Sequence, residues 1–255
     1  MARHANASRK DYHPVFALAA TLQGDLLSIV LFVASPHGVF LQPSIVLLPT
    51  VLHDKDGERS KQVLAPFREG EVKPVFEKVG TVPDMNTVSH GADMALKLAP
   101  KRLFIRGTAF ADFYPELLYT VWERWVHFTE ENDDARATAI LFDFTRQDKW
   151  SSVPPEETAC SKRTPHYWTA VQGRSATDES VPAVRQFVTE IVRFVREKSA
   201  EFSGQDLGWL LSMCQGDENP EDVFGDSLPR LRKIKAKYDP EKVWKKGCVI
   251  EPLFE

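Results

Sequence analysis

Three side chains in this sequence could move protons or polarise a carbonyl: Arg106, Asp143 and His166. Each falls in a stretch that reads as a β-strand, where successive side chains alternate between two faces. In residues 101–107, Arg102, Phe104 and Arg106 share one face, and Leu103 and Ile105 share the other. Asp143 interrupts an otherwise apolar strand over 137–145, on the side of Ala139 and Leu141 and opposite Thr138, Ile140, Phe142 and Phe144. Over 166–172, His166, Trp168 and Gln172 fall together. If these faces coincide, one cleft holds Arg106, Asp143 and His166 as catalytic groups, with Arg102, Phe104, Tyr167, Trp168 and Gln172 against the substrate. An Arg or His donating to a carbonyl stabilises developing negative charge, and a carboxylate or imidazole carries the proton. That chemistry needs no cofactor. The competing assignment makes Asp143 and the arginines structural ion pairs, His166 a satisfied sheet residue, and Tyr167 and Trp168 packing.

No other motif makes a stronger site. His4, His13, His37 and His53 fall in arm or turn segments, His90 in a loop, and His127 on the polar flank of a helix. The three cysteines, Cys160, Cys214 and Cys248, are odd in number, far apart and without a C-x-x-C, so neither a zinc site nor a disulfide framework is expected. A reducing compartment follows. The 13 glycines are scattered, with no G-x-G-x-x-G to cradle a phosphate. A net charge of −4 and no basic patch interleaved with aromatics argue against nucleic acid. The most apolar region, 26–52, is broken by Pro36, Gly38, Pro43 and Pro49, short of the ~20 uninterrupted residues of a spanning helix. The polar segment 1–10 lacks the apolar stretch of a signal peptide, so a cytoplasmic location is expected.

The elements that must position the candidates are legible. Val, Ile and Phe content predicts strands over 26–34 and 39–48, joined as a hairpin through the turn at 35–38. A short helix over 59–67 turns Val63 and Leu64 inward, and a strand follows over 72–79. Residues 83–95 are irregular or partly helical. A helix over 113–131 buries Leu117, Leu118, Val121, Trp122, Trp125 and Phe128. After a polar, proline-rich loop over 150–165, a long helix capped by Ser180 runs to about Ser203, with Val184, Phe187, Val188, Ile191, Val192 and Val195 inward. Trp209–Cys214 reads as a last strand. The order predicts an α+β fold: a large antiparallel sheet backed by helices on one face, with a loose N-terminal arm over 1–14 and a single domain over 15–255.

A final helix is marked by Leu228, Leu231 and Ile234 at helical spacing. Asp226 or Ser227 stands at its cap, Pro229 in its first turn, and Asp239-Pro240 at its end. Its apolar stripe is expected to dock on the sheet, with Leu231, Ile234 and Trp244 buried. The run FGDSLPRLRKIKAKYDPEKVW over 224–244, followed by Val249-Ile250-Glu251-Pro252, resembles the berberine-bridge C-terminal signature of FAD-linked oxidoreductases of the vanillyl-alcohol-oxidase type.

The resemblance implies a substrate-binding half whose antiparallel sheet roofs a flavin. A flavin-binding half, with its pyrophosphate loop and a His or Cys that can hold the flavin, is not recognisable in this sequence, so the chain is not expected to bind FAD by itself in the family manner. Nor is the family's Y-x-N-like segment present, since Trp209-Leu210-Leu211-Ser212-Met213-Cys214 stands in its place. The sheet face must then be covered by a second copy of the chain, by a separate flavin-domain protein or by an apolar small molecule. The function expected first is a cofactor-independent cyclase or isomerase, closing a ring in a hydrophobic natural-product intermediate of secondary metabolism by a Diels–Alder-like step. The alternatives are the substrate-domain subunit of a split FAD-linked oxidoreductase and a non-catalytic ligand-binding protein.

Overall fold

The computed structural model describes residues 26–35, 42–52, 54–69, 74, 76–90, 102–160 and 162–254. Five strands, β1 (Leu26–Ser35), β2 (Gln42–Val51), β3 (Arg102–Phe110), β4 (Ala139–Phe144) and β5 (Tyr167–Ser175), form one sheet in the order β2-β1-β4-β5-β3. Every neighbouring pair is antiparallel, as the α+β reading requires. The helices are α1 (Glu58–Glu69), α2 (Met85–His90), α3 (Pro115–Glu131), α4 (Asp148–Ser151), α5 (Val181–Ser203), α6 (Pro220–Phe224) and α7 (Leu228–Tyr238).

One face of the sheet is closed by α3 and α5. Leu117, Leu118, Val121, Trp122 and Trp125 of α3 join Val184, Phe187, Val188, Ile191, Val192 and Val195 of α5 in a single core with Phe32, Ile45, Phe110, Ile140, Phe142 and Val171 of the sheet. These are the stripes that the 3.6-residue period marks out. Phe128 and Phe187 stack with centroids 4.0 Å apart, and Trp125 Nε1 donates to Thr138 O at 2.9 Å, so the largest buried ring also satisfies its polar atom. Gly173 lets α5 approach, because a Cβ there would lie 2.5–2.6 Å from methyls of Val184 and Val188.

Several expectations are corrected. The start expected for the second strand, residues 39–41, lies outside the described residues, and residues 74 and 76–79 are not a strand. The arm and the hairpin turn lie outside the described residues. Ser180 stands before α5 but does not cap it; its Oγ is tied to Ser175 Oγ instead. Neither Asp226 nor Ser227 caps α7, whereas Asn219 caps α6 through the N–H of Glu221.

Trp209–Cys214 contributes one bridge, Thr108 to Trp209, and then turns into a 3-10 helix over Leu211–Met213. α7 does not dock on the sheet, whose helix face is already filled. Its Leu228 joins Val223 and Phe224 in a second, small cluster flanked by Trp209, Cys214, Leu231, Cys248 and Ile250. Ile234 is 41 % exposed and Trp244 71 %. The cause is Asp239, which ends the helix by accepting the N–H groups of Val243 at 2.7 Å and Trp244 at 3.3 Å and by pairing with Lys235, so the chain turns outward.

Candidate functional site

The other face of the sheet carries part of the candidate set. Register assigns the sides: Phe104, Arg106 and Phe110 of β3 stand opposite Gly173, Val171 and Tyr167 of β5. Val171, Phe110, Phe104 and Tyr167 belong to the helix-side core, so this whole row faces the helices. Leu103, Ile105, Trp168, Ala170, Gln172, Leu141 and Asp143 therefore face away from α3 and α5. Leu103 is exposed, and Ile105, Leu141, Trp168 and Gln172 are half-buried.

The eight candidates thus split. Asp143, His166, Trp168 and Gln172 fall on the open side, and Arg102, Phe104, Arg106 and Tyr167 do not. Asp143 lies directly across from Trp168 in the β4–β5 register, as it does from Ile29 on the β1 side. Phe104 and Tyr167 pack against the core. Arg102 donates to Asp178 and to Ala176 O at the exposed edge. Arg106, 4 % exposed, is held beneath the 214–219 loop by Asp217 and by the buried carboxylate of Glu218, 3.5 Å away, with the rings of Phe104 and Trp209 at its sides. Glu218 accepts the N–H groups of Gln215 and Gly216 at 2.9–3.0 Å. Arg106 is a clamp for that loop, on the opposite side of the sheet from Asp143. The expected single cleft is not formed, because the β3 register sets Arg106 level with an inward residue of β5.

Around His166 the structure builds an aromatic enclosure. The ring is fully buried between Trp150 of α4, at 4.5 Å, and Trp168, at 4.3 Å, both edge-on. The 148–166 loop folds over it, with Arg163 donating to Trp150 O at 3.1 Å. Nδ1 lies 2.6 Å from Thr164 O, and a carbonyl can only accept, so Nδ1 carries the proton and Nε2 keeps the lone pair. Burial holds the imidazole below its ordinary pKa, outweighing the Thr164 contact, and the positive charge of Lys162 works in the same direction. Burial pushes the Asp143 carboxyl up. His166 Nε2 and Asp143 Oδ1 are both sealed from solvent, and neither has a hydrogen-bond partner among the described residues. Two orphaned acceptors on one apolar wall are a costly arrangement that a ligand's donors would relieve.

Trp150 escaped the sequence reading, which placed it in a polar loop. A tryptophan without apolar periodicity around it was the available signal. Among the described residues no group of His, Cys, Asp and Glu could hold a metal ion, and no helix is long and apolar enough to cross a membrane.

Residues 203–247 match the family model described as berberine and berberine-like. The chain resembles the C-terminal half of berberine-bridge-like, FAD-linked oxidoreductases. Over 120 residues, 44 % of its length, it is 31 % identical to the FAD-linked oxidoreductase pgmH of Aspergillus terreus, of which the match covers 25 %. The xylooligosaccharide oxidase of Myceliophthora thermophila, solved with xylobiose, aligns with all of the chain at a TM-score of 0.67 and 15 % identity, over 55 % of the oxidase. Berberine bridge enzyme in complex with (S)-reticuline aligns with 96 % of the chain at 0.65 and 15 % identity, over 52 % of that enzyme. The chain spans about a quarter of the curated relatives it matches and about half of the solved ones.

Proposed function

We propose that this chain is the substrate-binding part of an FAD-linked oxidoreductase, with its open sheet face as one wall of the reaction chamber. The observation that carries this is the pair of orphaned acceptors, Asp143 Oδ1 and His166 Nε2, on that face of a berberine-bridge-like fold. Two acceptors set in an apolar and aromatic wall suit a hydrophobic substrate bearing an O–H or N–H donor. Asp143 takes the proton from the donor, and its raised pKa brings it nearer to neutrality, where a general base works best. His166, neutral and fixed by Thr164, orients the substrate by accepting a hydrogen bond at Nε2. Trp168 and Trp150 confine the ring. Arg106 is left out of the chemistry.

The wall of Leu103, Ile105, Leu141 and Ala170 fits one side of a flat heteroaromatic ring, whereas the scattered glycines offer nothing for a pyrophosphate. This sheet face would therefore meet a flavin at its ring, and the phosphates would be held by a separate flavin-binding part. FAD, when bound, supplies the hydride acceptor.

Cofactor-free cyclisation is the alternative, favoured by the fact that both proton-handling groups belong to this chain. The same Asp143 could deprotonate a phenol or enol whose closure Trp168 templates. Titration of the protein with hydroxylated aromatic and polyene compounds, followed by tryptophan fluorescence, tests the shared site. Saturable quenching that Trp168→Ala weakens at least tenfold is expected, and quenching indifferent to Trp168→Ala would remove the site. Turnover of a binding compound without flavin would favour the cyclase; turnover only with a flavin-loaded part favours the oxidoreductase.

A further inference from the structure

The second cluster holds two thiols whose loops touch. Cys214 and Cys248 both flank Val223, Phe224 and Leu228. Their segments meet backbone to backbone: a Cβ on Gly216 would lie 2.9 Å from Gly247 O. Both glycines have positive φ, 98° and 75°, the left-handed backbone that lets the two turns close on each other. Both thiols are free and half-buried, while the third, Cys160, is exposed. The cluster they flank has only three buried side chains, and α7 and the segment after it leave Ile234, Val243 and Trp244 in solvent. So small a core is where a covalent tie adds most.

We propose that Cys214 and Cys248 are an oxidative modification site, joined by an intramolecular disulfide that closes α6, α7 and the Asp239 turn into one loop and fastens the C-terminal segment to the 214–219 loop that clamps Arg106. The oxidant is a low-molecular-weight disulfide. One protein thiolate attacks it and releases one small thiolate; the second protein thiol displaces the other. Two protein thiols are oxidised, one small disulfide is reduced to two thiols, and the two protons end on the released thiols. Burial pushes Cys214 up to about 12 and raises Cys248 too, so few thiolates exist near neutrality and the exchange quickens as pH rises.

The test treats the full chain with oxidised glutathione at a pH of about 8.5, below the Cys214 value but closer to it. Expected are a loss of two hydrogens from the intact mass, a Cys214–Cys248 linked peptide in a non-reducing digest, and a rise of several degrees in thermal midpoint that dithiothreitol reverses. Cys248→Ser should abolish the mass loss and the rise, and Cys160→Ser should leave both unchanged. Mixed glutathione adducts on Cys214 or Cys248 without the linked peptide would overturn the proposal. So would full alkylation of both thiols after oxidation, a result that does not depend on any variant folding.

Discussion

Replacing Asp143 by Asn should make the protein more stable at neutral pH and less able to bind its ligand. Asp143 stands between Ile29 and Trp168 in the backbone register of the sheet, with Leu141 two residues along, and one of its carboxyl oxygens is sealed without a partner among the described residues. An unsatisfied buried polar group costs about 1–3 kcal/mol, and more when it is charged. The side chain is only partly enclosed, so the low end applies: Asp143→Asn, which keeps the shape and removes the charge, should gain about 1 kcal/mol, or roughly 2–4 °C at this chain length. Burial raises the folded pKa of this carboxyl, so the native state holds its proton more tightly than the unfolded chain does. Its contribution is favourable below about pH 4 and is lost as pH rises through the raised folded value. Urea unfolding across that range should therefore show wild type and Asp143→Asn converging in acid and separating above it. Fluorescence titration with a ligand found for wild type should show weaker binding by the variant. An Asn variant that is less stable at neutral pH, or a gap that does not change with pH, would mean that the carboxylate is satisfied after all.

Two further outcomes test the division of the candidates. Arg106→Ala should cost about 3–5 kcal/mol in urea unfolding because it strands the buried Glu218 carboxylate, and Arg106→Met combined with Glu218→Gln should cost clearly less than the sum of the two single changes; additive costs would deny the pair. His166 has the opposite sign from Asp143: its folded pKa is depressed, so its contribution is present above about pH 6.5 and is lost as pH falls toward the folded value. The loss of stability on acidification through that range should flatten in His166→Gln, and an unchanged slope would place the titration elsewhere.

The helix-side core was legible because α3 and α5 carry long apolar stripes with a single period, and Leu118, Trp125, Val188 and Val192 lie where that period puts them. Alternation within one strand was equally reliable: His166 and Trp168 are on one side, and Asp143 is opposed to Phe142 and Phe144. Register between strands was not legible. β3 and β5 are separated by α3, β4 and the 148–166 loop, and nothing local says whether Arg106 stands level with Val171 or with Ala170. A shift of one residue would have moved Arg106 to the side of Asp143. Asp217 and Glu218, 111 and 112 residues along the chain from Arg106, could not be matched to it from sequence. The C-terminal helix failed for a different reason: its stripe is real, but one of its three residues, Leu228, suffices for a three-residue cluster, and the sheet had no free helix side to offer.

The split of the candidates gives the two faces different duties. On the helix side Arg106 pairs with Glu218 and Asp217, although its Nε has no partner among the described residues, and Arg196 of α5 reaches Asp206 and Asp222 at 2.6–2.8 Å over the ring of Trp209. These pairs pin the 206–222 segment to the sheet edge. On the open side two acceptors, Asp143 Oδ1 and His166 Nε2, are buried without a donor among the described residues. Glu218, by contrast, accepts the N–H groups of Gln215 and Gly216 and faces an arginine. On the proposed function, a substrate's own O–H or N–H would complete these two acceptors.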